Sequence, residues 1–395
     1  MKRLVLLGGG HSHVHVLDAL ARKPPAGVPR GFPSVIETTL VSPHPHQVYS
    51  GMLPGWLAGH YRLRDCLIPV DALAQHAGVD HRRATAIGFD PSTQRIFCSD
   101  GAAFDYDVLS IDTGAVLDLA ALPGASQHAL PVRPIERFIQ GCNSLVEHVR
   151  ARPRTVITFV GGGAAGVELI LALRRRLRRH VREGRAVLQL ISSGTSLLPG
   201  HPAGVGCRLE AQLAACGILY YPDRSVAAFL PDAVILHTGE EIESNFNLVA
   251  TGAAAPPWPK RSGLATDADG FICVNGFLQS TSHGNVFATG DVASMVDHPR
   301  PKSGVHAVRA GPPLADNLLR ALAGRPLKRH VPQKRALYLI STGGHHAIGS
   351  WGPFSWQGRW VWRWKDRIDR AFIARFSRDT PAEANLLHRS ESESP

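Results

Sequence analysis

Cysteine is scarce and scattered: six residues, at positions 66, 98, 142, 207, 216 and 273 of 395, with no CxxC among them. That excludes a disulfide framework and a cysteine zinc site, and makes a reducing, cytoplasmic setting the expectation. Cys207 and Cys216, nine apart on an expected helix, do not face each other and read as core thiols. Long apolar runs are missing too. The first stops at Leu7, before Gly8, too short for a signal-peptide core, and no stretch is long and apolar enough to cross a membrane. Acidic residues are outnumbered, 32 Asp and Glu against 43 Lys and Arg, giving a formal net charge of +11. The excess favours anionic partners such as a dinucleotide or a phospholipid surface. Its densest run, Arg174, Arg175, Arg176, Arg178, Arg179, Arg182 and Arg185, reads as the solvated basic end of a helix, so no nucleic-acid partner is expected.

What is present begins with TVITFVGGGAAGVELILALRRR, Thr155 to Arg176. A β-branched and aromatic run predicts a buried parallel strand, and Val167 to Leu173 with its basic end predicts a helix. Between them stands Gly161-x-Gly163-x-x-Gly166. Gly161 allows the tight turn, Gly163 admits a pyrophosphate to the backbone, and Gly166 lets the helix pack on the strand, its N-terminus facing the phosphates.

Residues 3–22, RLVLLGGGHSHVHVLDALAR, repeat the plan, with Gly8 and Gly10 in the first two positions and His13 in the third. A side chain there is expected to hold the helix slightly off the strand. His11, His13 and His15 suggest a metal at first sight. Spacing of two residues turns successive helical side chains by about 200°, which does not converge on one ion, so polar contacts at the turn are expected and no metal. Residues 35–41 predict the second strand, which ends in Ser42 where an acid is expected for ribose hydroxyls. Asp107 to Ile111 predicts another strand, followed at its C-terminal end by Thr113-Gly114, where open α/β sheets place ligands.

Two fingerprints, Thr113-Gly114 after the first, Thr251-Gly252 after the second and a late Gly290-Asp291 form an ordered set. It resembles the two-dinucleotide-binding-domain flavoproteins, the pyridine nucleotide-disulfide reductase superfamily. YSGMLPG (Tyr49–Gly55), LLPGH (Leu197–His201), TSHGNVFATGDVA (Thr281–Ala293) and RWKDRIDRAFIARF (Arg363–Phe376) resemble its type II NADH dehydrogenase-like branch, in the form also fused to selenide, water dikinase. The resemblance covers nearly the whole chain.

It implies two Rossmann-like three-layer (ββα) nucleotide-binding domains, the NAD(P) domain inserted in the FAD domain, plus a C-terminal α/β segment. The expected boundaries are 1–145 and 256–325 for the FAD domain, 146–255 for the NAD(P)H domain and 326–395 for the C-terminal segment. It places FAD on Gly8, Gly10, His11 and Ser12, with Ser42 near the ribose, Thr85 near the adenine, and Thr113 and Gly114 at the ADP half. Met52, Leu53 and Pro54 would lie against the flavin ring, Gly290 and Asp291 at the ribityl chain, and Gly304 and Val305 at the pyrimidine edge. NAD(P)H would lie on Gly161, Gly163, Gly166 and Glu168, with Ser192, Thr251 and Gly252 at its strand ends. Ser192 is neither the acid that favours NADH nor the Arg that favours NADPH. Hydride transfer would belong to the cofactors, with Glu168 positioning the nicotinamide.

Departures narrow the acceptor. The superfamily's disulfide-reducing members carry a Cys pair in the first helix, which here holds none, so that relay is excluded. Cys142 reads as an ordinary buried thiol. Ala310 stands where related sequences offer a quinone-pocket Gln. Five of the seven Trp fall between 351 and 364, ahead of a helical pattern with Trp360, Trp364, Ile368, Ala371 and Phe372 on one face and Arg363, Arg367, Arg370 and Arg378 largely elsewhere. Two readings stay open: an interfacial helix on an anionic membrane, on the inner face of the cell membrane, or a helix packed on the domain or on the partner in a homodimer. Residues 380–395 read as disordered. The expected activity is FAD-dependent NAD(P)H oxidation with a quinone acceptor. Reduction of a selenium or sulfur species, and a non-turnover NAD(P)H-binding flavoprotein with a signalling partner, are the alternatives.

Overall fold

The computed structural model describes residues 2–22 and 36–377. Val35, Arg378 and residues 380–395, assigned above to a strand, a basic face and a tail, lie outside them. The chain opens with strand Lys2–Leu7 (β1), whose last four side chains are all buried, as a central parallel strand requires. Helix His11–Ala21 (α1) follows, then Ile36–Val41 (β2) and Asp80–Arg82 (β3). A three-stranded antiparallel meander at residues 86–105 leads into Val108–Ile111 (β4).

The second unit repeats that order. Ala129–Pro131 (β5) precedes Thr155–Val160 (β6), helix Ala164–Arg176 (α2), Ala186–Ile191 (β7) and Leu219–Tyr221 (β8). Another antiparallel meander at residues 226–243 leads into Phe246–Val249 (β9). Val286–Ala288 (β10) then returns to the first sheet, pairing with Leu109, Ser110 and Ile111. Helix Gly304–Leu322 (α3) packs on α1. Antiparallel strands Leu337–Ser341 (β11), Ala347–Trp351 (β12) and Phe354–Gly358 (β13) end in helix Arg359–Ser377 (α4).

Both main sheets are parallel. Their orders, β10-β4-β1-β2-β3 and β5-β9-β6-β7-β8, are equivalent. Each is a sheet with a fingerprint helix on one side and a meander in the connection, so the expected pair of three-layer units is present, the second inserted in the first. The 145/146 boundary falls inside helix Ile135–Ala151, and β5 already pairs with β9. Parallel strands of this kind end together, which collects their C-terminal turns at one edge of each sheet.

Two expectations are corrected. Cys207 is exposed and Cys216 half-buried, so neither is a core thiol. Their helix, Ala203–Ala215, buries Val205, Leu209 and Leu213, and Cys207 follows Val205 by two positions, on the opposite face. Phe372 does not share a surface with Trp360. It stacks on Tyr49, ring centroids 4.6 Å apart, and the packed face of α4 carries Val361, Asp369 and Phe376.

Candidate functional site

The first cradle forms where β1 meets α1. Gly8 has φ +93°, in the left-handed region, and the backbone of Asp112 and Thr113 lies against it. A Cβ at Gly10 or Gly290 would overlap the Asp112 side chain, so both glycines are required by that packing. Asp112 Oδ2 accepts from Ser12 N at 2.8 Å and His13 N at 3.2 Å, and Ser12 Oγ donates to the Ala307 carbonyl at 2.7 Å, tying α1 to α3. The structure thus brings together Gly8, Gly10, Ser12 and Gly290 around Asp112, which the sequence pattern did not single out.

His13 is fully buried between strand and helix, Nδ1 at 2.5 Å from the Gly8 carbonyl and Nε2 at 2.8 Å from Ser110 Oγ. A polar bridge replaces the close helix–strand contact that a third glycine permits. His11 is half-buried. Its Nε2 finds no hydrogen-bond partner among the described residues, and burial drives its pKa down to about 4, with Asp291 opposing and Arg133 assisting. His15 packs edge-on against Phe376. Asp291 pairs with Arg133 at 2.9 Å beside a polar cavity that Arg300, Lys302, Ser303 and His306 also line. Ser42 is buried beneath Gly9. Thr85 and Thr113 are exposed, and Gly114 is half-buried.

The second cradle repeats the geometry without the carboxylate. Gly161 has φ +128°, and a Cβ at Gly166 would overlap the Gly161 carbonyl oxygen. A Cβ at Gly163 would meet nothing within 4 Å. The α2 N-terminus therefore faces open space, with its first amides available to an anion. A side chain at Gly162 would overlap Ser192 Oγ, which places Ser192 in the same turn, while Thr251 and Gly252 are exposed at the end of β9.

One loop touches both units. Ser50–Met52 is a single 3-10 turn and Leu53–Leu57 a short helix with Pro54 in its first turn, where a missing N–H does no harm. Met52, Leu53 and Pro54 are buried, and the short helix packs on α2. Gly304, at the start of α3 next to Val305, lies against Ser50: a Cβ there would be 3.5 Å from Ser50 Oγ.

Beneath this loop lies a buried charge cluster that sequence periodicity did not reveal. Lys365 Nζ donates to the Gly51 carbonyl and to Asp369 Oδ2, both at 2.7 Å. Tyr49 donates to Asp369 Oδ1 at 3.2 Å. Glu168 is half-buried and accepts from Ser341 N at 2.6 Å. Burial pushes its pKa up to about 7, with Lys365 pulling it down and Asp369 up. Burial alone would lower Lys365, but Asp369 and Glu168 more than offset it and hold the ammonium charged. The i,i+4 spacing of Lys365 and Asp369 was the available signal.

The cradles fit two dinucleotides. Each has a glycine turn at a strand end, a helix N-terminus and space or a polar lining in front. Among the described residues no cluster of three or more His, Cys, Asp or Glu could hold a metal.

The model of the family described as pyridine nucleotide-disulphide oxidoreductase matches residues 2–311. A NADH dehydrogenase-like protein of Mycobacterium tuberculosis is 26% identical over 302 residues, 74% of this chain and 73% of its own. A demethylphylloquinone reductase of Synechocystis is 28% identical over 290 residues, 70% of each chain. Among solved structures, the sulfide:quinone oxidoreductase of Aquifex aeolicus superposes with a TM-score of 0.79 at 20% identity, over 96% of this chain and 92% of that one. That likeness concerns the fold.

Proposed function

The chain belongs to the pyridine nucleotide-disulphide oxidoreductase family, and we propose that it is an FAD-dependent NAD(P)H oxidoreductase that delivers its electrons to a quinone. One observation carries this reading: the loop Ser50–Leu57 is shared by two glycine cradles, touching α3 of the first and α2 of the second. When bound, FAD would supply the hydride and electron chemistry.

The residues do the rest. Gly8, Gly10 and the α1 N-terminus would hold the FAD pyrophosphate, Asp291 the ribityl side, and Gly161, Gly163 and Gly166 the NAD(P)H pyrophosphate. Met52, Leu53 and Pro54 would keep water from the reacting rings. Glu168, poised to hold a proton near neutral pH, would orient the nicotinamide from the α2 side. The Cys142 thiol is buried and pushed up to about 12 by that burial, which Arg176 only partly offsets, so it offers no thiolate for sulfur chemistry. A demethylphylloquinone reductase among the relatives supports the quinone.

The purified protein is expected to be yellow, to release FAD on denaturation, and to oxidise NADH or NADPH rapidly with a short-chain quinone. A steady-state screen of quinones, selenium and sulfur acceptors decides the matter. Turnover only with selenium or sulfur species would overturn the quinone assignment, and colourless folded protein with no flavin affinity would overturn FAD.

A quinone acceptor implies contact with a membrane, and α4 offers the means. No helix among the described residues is long and apolar enough to cross a bilayer. Trp356, Trp360 and Trp364 instead form a stacked ladder, centroids 6.5 and 6.4 Å apart. Trp360 is 56% exposed, with Trp364 and Ile368 beside it, and Arg359, Arg363 and Arg367 are exposed along the same helix. Each apolar side chain buried in the acyl boundary contributes about 1.5–3 kcal/mol, and each Arg near an anionic surface about 1 kcal/mol. Replacing Trp360, Trp364 and Ile368 by Ser is expected to lower flotation with anionic vesicles at least tenfold, and salt should weaken wild-type binding. Wild type that stays soluble with anionic vesicles at low salt would assign this face to protein contact.

A further inference from the structure

We propose that Asp112 sets the affinity of the first cradle for flavin: its carboxyl occupies the α1 amides that a pyrophosphate needs, so flavin binds with uptake of one proton at this side chain. The proposal rests on the FAD reading above and concerns how that site is controlled.

Asp112 directly follows β4 and is anchored by its own backbone, its N–H donating to the Leu7 carbonyl at 2.8 Å. The main chain at this position is therefore held at the β1–β4 junction, which sets where the carboxyl sits without fixing its rotamer. It is 3% exposed, enclosed by Gly10 on one side and Gly290 on the other, neither of which could carry a Cβ beside it. Its Oδ2 takes the N–H groups of Ser12 and His13 at 2.8 and 3.2 Å. These belong to the first turn of α1, whose free amides and dipole form the anion-binding feature of a dinucleotide fingerprint. Among the described residues the second fingerprint has no such occupant, and Gly163 there opens on empty space.

A carboxylate and a pyrophosphate cannot share this turn without repulsion, because both are anions out of water. Protonation resolves the conflict. The neutral acid releases its claim on the amides, and its O–H becomes a donor that a phosphate oxygen can accept. The proton comes from solvent, and no bond is made or broken besides the O–H.

The surroundings place this event near neutrality. Burial and, less strongly, the Asp291 charge raise the Asp112 pKa to about 7 against the pull of the Ser12 and His13 amides. On α1, His11 and His13 are driven down to about 4 by burial and stay neutral in this window. Arg133, from the chain between β5 and helix Ile135–Ala151, is paired with Asp291. On the α3 side, His306 and Lys302 are lowered by burial, with Asp291 opposing in both.

The test dialyses full-length protein against graded FAD from about pH 6 to about pH 9 and reads bound flavin per chain. Above the Asp112 pKa, wild-type Kd should rise about tenfold per pH unit, as one linked proton requires. Asp112→Asn should flatten this dependence and, near pH 9, bind FAD at least tenfold more tightly than wild type. Should that variant fail to fold, by circular dichroism, Asp112→Ser serves in its place. A pH-independent wild-type Kd overturns the proposal, as does a slope that survives in the variant. Protein that binds no FAD at any pH overturns the flavin reading, and this proposal with it.

Discussion

Gly163→Val is expected to leave flavin content unchanged and lower thermal stability by no more than a weakened helix cap costs, about 1 kcal/mol, while raising the NAD(P)H concentration for half-maximal flavin reduction by about two orders of magnitude, the scale of losing about 3 kcal/mol of charge-assisted contacts. Gly163 is the N-cap of α2 with φ −76°, a conformation open to any L-residue, and among the described residues nothing beyond its chain neighbours lies within 4 Å of its Cβ position. The new side chain therefore displaces nothing of the protein. It fills only the space in front of the amides that would receive the pyrophosphate. Gly166→Val supplies the contrast. Its Cβ would overlap the Gly161 carbonyl oxygen, backbone that cannot give way. Overpacking of this kind typically costs about 1–3 kcal/mol and here should exceed that range, so soluble folded protein should be scarce. Stopped-flow reduction by NADH and by NADPH, beside thermal unfolding, separates the two. A Gly163→Val enzyme that saturates like wild type would move the nucleotide off this helix.

Lys365→Met is expected to destabilise the protein by about 3–5 kcal/mol, because it strands the buried Asp369 carboxylate and removes a donor to the Gly51 carbonyl. The sign of the pH effect follows from which charge is left. Without the ammonium, the folded-state pKa values of Asp369 and Glu168, both raised already, rise further above their unfolded values. Their penalty is absent below the unfolded pKa and grows as pH increases through the folded one. The deficit should thus be larger at about pH 8.5 than at about pH 5.5. Lys365→Met with Asp369→Leu should recover part of the loss, since replacing both members of a buried pair is often neutral. Denaturant titrations of the three proteins at two pH values measure this, and a pH-independent deficit would show that the cluster is not charged as described.

The strand–turn–helix units were legible because they are local: a β-branched run, glycines at fixed offsets and an apolar helix lie within some twenty residues of each other. The return of residues 256–325 to the first domain was legible through the resemblance, whereas the pairing of β10 with β4 shows only in the structure. Asp112 was passed over because its partners, Ser12 and His13, lie about a hundred residues away in sequence. The wheel of α4 misled at Phe372 for a related reason. That helix carries two apolar stripes, one through Trp360, Trp364 and Ile368 and one through Val361 and Phe376. Periodicity cannot say which faces inward. The ring of Tyr49 decides, drawing Phe372 to the packed side. Lys365 and Asp369 drew no reading from the sequence because Gly51 and Tyr49, which hold them, lie more than three hundred residues away.

Besides the carboxylate, the two cradles differ at the third fingerprint position, and that difference governs how each can evolve. At Gly166 the neighbouring carbonyl oxygen leaves no room for any side chain, so the second site is frozen: drift there is lethal to the turn before it can alter ligand choice. At His13 an imidazole is already accommodated, held by Gly8 and Ser110. The first turn thus accommodates a side chain at its third position, while Gly8 and Gly10 stay confined by Asp112. Divergence between lineages of this fold is then expected to accumulate at the third position of the N-terminal turn and to spare Gly166.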